Sequence, residues 1–128
     1  MRPKAQRWIS ISNREESMAR TLSRAGLFEG TVLHAHRAAL AALRAVFADH
    51  GWALPSDRCE DVCALLRAHD ITPPRNVAKA AQTLDAHQLR LDPDAPEAPS
   101  AACTDEIAVA CLDAVTRIRN LVNTVLTR

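Results

Sequence analysis

Apolar residues recur along this chain at intervals of three and four, the period of a helix, and nowhere with the strict alternation of a half-buried strand. Five segments follow that rule. The first opens at Pro3, a residue suited to a helix start, carries Trp8, Ile11, Met18 and Leu22 on one side, and stops at Gly26. The second runs from Leu27 past Val46 to Gly51 and is apolar around most of its circumference. Phe28, Val32, Ala35, Ala39, Leu43 and Val46 form its stripe, Leu33, Leu40 and Phe47 widen it, and alanines fill much of the rest. Such a helix sits between neighbours on several sides, so His36, Arg37 and Arg44 must emerge at a seam.

Pro55-Ser56-Asp57 opens a third segment, with Asp57 and Glu60 in capping-box spacing and Val62, Leu65, Leu66 and His69 facing inward. Thr72-Pro73-Pro74 breaks the chain before a fourth, whose inner face is Val77, Ala80, Ala81, Leu84 and His87. Three prolines between Leu91 and Ser100 then exclude a helix. Thr104, followed by Asp105 and Glu106, caps the last helix, whose stripe is Ile107, Ala110, Cys111, Ala114, Ile118, Leu121, Val122 and Val125. The pattern predicts an all-α, antiparallel up-and-down bundle of about five helices, with a Pro/Asp-rich loop before the last. The second and last helices should be the longest.

Composition narrows this picture. At 128 residues the chain is read as a single domain spanning 1–128. Two Trp, two Phe and no Tyr argue against a β-sandwich. A net charge of +1 argues against a general nucleic-acid binder, so any such contact must come from a local patch. The N-terminus lacks the apolar core of a signal peptide, and no run approaches a membrane span. Four cysteines without a secretory signal fit a cytoplasmic protein with free thiols. Cys59 and Cys63 lack the spacing of a zinc knuckle, even with His69 nearby, and read as small core residues. No metal and no cofactor is expected.

The charged groups on apolar faces carry the candidate chemistry. Glu15 falls inside the first helix's stripe and needs a cation or several donors. Arg37 and Arg44 are seven residues apart, so they project from one flank with Cα atoms ~10 Å apart along the axis. That spacing suits two phosphates, or a phosphate and a carboxylate. Arg90 could close over the same groove, with His36 or His87 offering a supporting hydrogen bond. The alternative is that Glu15 and acidic loop residues neutralise these arginines in structural salt bridges. Glycine-rich phosphate loops, nucleophile elbows and paired-histidine metal motifs are absent, and His34 and His36 point to different sides of one helix. Nothing here requires an enzyme.

The order of these parts resembles the HEPN family, the "higher eukaryotes and prokaryotes nucleotide-binding" domains, over nearly the whole chain. The likeness rests on the small-residue helix entered through Gly26-Leu27-Phe28-Glu29-Gly30 and running through Ala35-His36-Arg37-Ala38-Ala39 to Leu43-Arg44. It rests also on Leu84-Asp85 before the Pro-Asp loop and on the helix that starts at Thr104. Family members typically have a polar pair where His36-Arg37 stand, a basic residue at Arg44 and an acidic one near Glu15. The family's tyrosines are missing here, and its loop arginine is displaced to Arg90.

The resemblance implies a nucleotide- or RNA-associated accessory domain, acting beside a nucleotidyltransferase-type partner in a toxin–antitoxin-like pair. It implies a homodimer too, as does the apolar circumference of the second helix. Some family members are metal-independent ribonucleases with an arginine followed a few residues later by a histidine. The comparable pair is Arg44 and His50, with His50 as general base or acid and Arg44 steadying the phosphorane. Arg119-Asn120 has the polar neighbour but no following histidine. A non-catalytic, dimeric structural module is the third reading.

Overall fold

The structure is a computed structural model, and it describes residues 1–54, 56–89, 91, 94 and 103–127. Five helices follow in order: α1 (Pro3–Arg24), α2 (Phe28–His50), α3 (Cys59–Ala68), α4 (Arg75–Leu89) and α5 (Asp105–Leu126). No strand occurs among the described residues. At 22 residues α1 equals α5, so it shares the length expected only of α2, with 23, and α5.

Helix α2 is the axis of the bundle. Helix α1 runs along one side of it, α5 along another, and α3 and α4 cover what remains. Thirteen of its residues are buried, among them Val32, Leu43, Val46 and Phe47. The other helices of this chain therefore cover the apolar circumference that pointed to a homodimer. That ground for a dimer falls away.

The α1–α2 seam differs from its sequence reading. Met18 is 41% exposed and Trp8, Ile11 and Leu22 only half-buried, whereas Ala5, Ser12 and Ala19 are fully enclosed. These three lie seven residues apart on the side of α1 that is buried, and α1 packs along the alanine-rich α2. Small side chains on both helices let the backbones approach closely. Ser12 Oγ, the polar member, donates to the Ala38 carbonyl at 2.7 Å, which satisfies a hydroxyl that burial would otherwise penalise.

The turns follow their residues. Gly26 and Gly51 take the left-handed conformation just beyond α1 and α2 (φ +76° and +70°), where a side chain would be strained. Pro3 sits in the first turn of α1, and Thr104 Oγ1 accepts the Ile107 amide at the start of α5. Asp57 and Glu60 do not form the expected capping box. Arg58 occupies the N-cap of α3 with no side-chain bond of its own, and a carboxylate from another helix does the capping.

Candidate ligand site

That carboxylate is Asp85, on the buried face of α4. Its Oδ1 accepts the Cys59 amide at 2.9 Å and its Oδ2 the Glu60 amide at 2.8 Å, which satisfies two of the open donors at the start of α3. Oδ1 also meets His36 Nε2 at 2.9 Å, so one residue ties α2, α3 and α4 together. Burial alone would raise the Asp85 carboxyl, but the bonds from His36 and the two amides outweigh it and hold it below the usual carboxylate range. His36, 7% exposed, is thereby tied into the core.

A His36 ring nitrogen, Cys59 Sγ and an Asp85 oxygen lie within 4.8 Å of one another, a donor set of the type that holds a metal ion. Two features argue for a hydrogen-bonded staple instead. Both carboxylate oxygens already accept backbone amides, and every buried side-chain polar atom among the described residues has a partner. Burial, with Asp85 beside it, also pushes the Cys59 thiol well above its ordinary value. Cys63 is pushed up to about 11 and Cys111 to about 12, both chiefly by burial, as inert core thiols would be. His69 does not join Cys59 and Cys63 in a ligand group: it stacks on Trp52 at 3.7 Å between centroids.

Glu15 meets His34 Nδ1 at 2.5 Å, so the alternative in which it neutralises Arg37 or Arg44 is not realised. The reason is geometric. Antiparallel packing sets Ser12 against Ala38 and Trp8 against Arg44, which brings Glu15 level with His34. Glu16, one residue on, accepts from Arg20 and from Arg119 of α5, and Arg119 also donates to Asn13. Arg119 is thus fully engaged between α1 and α5.

Arg44 has no such carboxylate among the described residues. Its guanidinium lies over the Trp8 ring, 5.1 Å from the centroid, and the two side chains line a pocket of about 360 Å³ with Lys4, Trp52 and Leu54. The nearby acid, Asp49, accepts the Arg2 amide at 2.8 Å. Two cations and both tryptophans of the chain therefore share one opening. Trp52 presents only its edge there, because His50 and His69 stack on its two faces. Trp8 is the ring with a face to offer once Arg44 swings off it.

Of the residues singled out in the sequence, Arg44 lines this pocket. Arg37 is exposed two turns earlier on α2 and does not line it. His87 is half-buried near the end of α4, and Arg90 lies outside the described residues. His50 adjoins the pocket through Trp52, with its Nδ1 on the Val46 carbonyl at 2.9 Å. Lys4, Trp8 and Trp52 line the pocket without any mark in the sequence that sets them apart. Trp8 resembles a core residue in its stripe, and Trp52 follows a helix-ending glycine, where periodicity carries no information.

The five-helix arrangement has known counterparts. A family model for the HEPN domain matches residues 5–125, and the chain belongs to that family. Among solved structures, ST0689, described as an archaeal HEPN homologue, is 20% identical with a TM-score of 0.78 and covers 97% of this chain and 98% of its own. TT1696 from Thermus thermophilus is 22% identical with a TM-score of 0.85 and covers 97% and 99%. At those identities the likeness is one of fold. No curated protein matches the chain.

Proposed function

We propose that this HEPN-family chain is a nucleotide- or RNA-associated accessory domain whose ligand contact is the Lys4–Trp8–Arg44–Trp52 pocket. The observation that carries this reading is Arg44: a half-buried guanidinium with no carboxylate among the described residues, held over an aromatic ring beside a second cation. In the bound state Arg44 and Lys4 take a phosphate, and the vacated face of Trp8 takes a base. The domain works without catalysis beside a nucleotidyltransferase-type partner in a toxin–antitoxin-like pair, and as a homodimer in the cytoplasm. These partners rest on the family resemblance. Among the described residues no helix is long and apolar enough to cross a membrane.

The test is a set of melting temperatures for wild type and Arg44→Ala, each with and without nucleotide. A nucleotide that raises the wild-type value and leaves the variant unmoved supports the reading. An unresponsive wild type rejects it and leaves the structural module.

One observation favours the ribonuclease as a second reading. The Val46 carbonyl requires the proton on His50 Nδ1, which in the neutral ring leaves Nε2 as an acceptor able to take a proton from a ribose hydroxyl. RNA cleavage by the wild type, abolished in His50→Ala, would establish it. An uncleaved substrate returns His50 to the role of helix cap.

A further inference from the structure

A cavity of about 500 Å³ forms a groove between α4 and α5, away from both tryptophans. Its floor is Ala80, Ala110 and Ala114, whose small side chains leave the space open. Its rim carries three cations, Arg75 and Lys79 on α4 and Arg117 on α5, with Asn76 as a neutral donor. The single acid, Asp113, is spent on Arg117, whose Nε donates to it at 2.8 Å. Arg75 and Lys79 have no acidic partner among the described residues.

This placement is unfavourable for the isolated helix. Arg75 is the first residue of α4 and Lys79 stands one turn on, where the helix dipole repels cations, and no acid occupies that turn. The two are also like charges at i and i+4, which destabilises a helix surface. Helices α3 and α5 carry two acids each in the same position. An anion in the groove would relieve both repulsions.

We propose that the α4–α5 groove binds the phosphodiester backbone of single-stranded RNA, as a site separate from the tryptophan pocket and independent of it. Arg75 and Lys79 are about 6 Å apart along the axis, comparable with neighbouring phosphates on one strand. The cations are exposed, and the groove offers no buried donor that would strip the hydration from a small ligand. Such a surface gains affinity by releasing the counterions of a polymer. It also supplies a local basic patch of the kind that a chain of net charge +1 needs for contact with a nucleic acid.

The test is fluorescence anisotropy of a labelled oligouridylate against wild type and the Arg75→Gln/Lys79→Gln double variant across a range of salt. Both residues are exposed, so an unchanged melting curve should accompany the variant. The affinity should fall about ten-fold or more, and the slope of log affinity against log salt should drop by about 1.4, at roughly 0.7 per phosphate contact. Mononucleotide binding read from tryptophan fluorescence should not change, since neither Trp lines this groove. Absent RNA binding by the wild type, or an unchanged slope in the variant, overturns the proposal. So does a loss of self-association in the variant with RNA affinity intact, which would make the groove a protein contact.

Discussion

Arg44 and Arg119 sit on the two long helices that pack against α1, and they meet opposite surroundings. Arg119 reaches α1 where Glu16 and Asn13 wait, and its charge is consumed there, with Arg20 sharing the same carboxylate. Arg44 reaches α1 at Trp8, an aromatic face that attracts a cation without cancelling its charge. One arginine joins helices. The other keeps a charge available beside a pocket.

The largest effect should come from the structural side, at Asp85. Asp85→Ala leaves two helix-start amides and His36 without their acceptor and should cost about 3–5 kcal/mol in denaturant melts, since a stranded buried donor costs ~1–3 kcal/mol. Because the folded state holds this carboxyl below its ordinary value of 3.8, its stabilisation is complete above that pH and lost as pH falls through the folded value. The stability difference between wild type and Asp85→Asn should accordingly shrink below about pH 4. A difference that persists unchanged into acid would mean that Asp85 acts by shape alone.

Arg119→Ala should come next, with a loss of about 1–2 kcal/mol, because Glu16 keeps Arg20 as a partner. Ligand binding should be unaffected. Arg44→Ala should cost least in folding, about 0.5–1 kcal/mol for the lost contact with Trp8. A loss several times larger would place Arg44 with Arg119 as a structural cation and collapse the comparison.

The bundle was legible because helical periodicity is local and the turn residues are distinctive. Gly51, Thr104 and the Pro73-Pro74 break mark their boundaries in the sequence. The inner face of α1 was not, because large apolar residues signal burial more loudly than Ala5, Ser12 and Ala19, although close helix packing selects small ones. Glu15 was legible as a carboxylate needing a partner, but which cation met it depended on the register of two helices. Asp85 could have been found by the same argument, since it follows Val77 and Ala81 on the buried face of α4 at helical spacing. The pocket could not, because it joins the start of α1 to the loop after α2, and no spacing along the chain encodes that meeting.

The most direct test of the account is the intrinsic tryptophan fluorescence of the protein, titrated with a nucleoside monophosphate. Both tryptophans line the Arg44 pocket, so the signal reports that site and no other. Wild type and Arg119→Ala should show the same saturable change, and Arg44→Ala should require about ten-fold more ligand or more, as the loss of a charge-assisted contact of ~1.5–3 kcal/mol implies. A flat wild-type titration, or an Arg44→Ala curve that overlays the wild type, would contradict it.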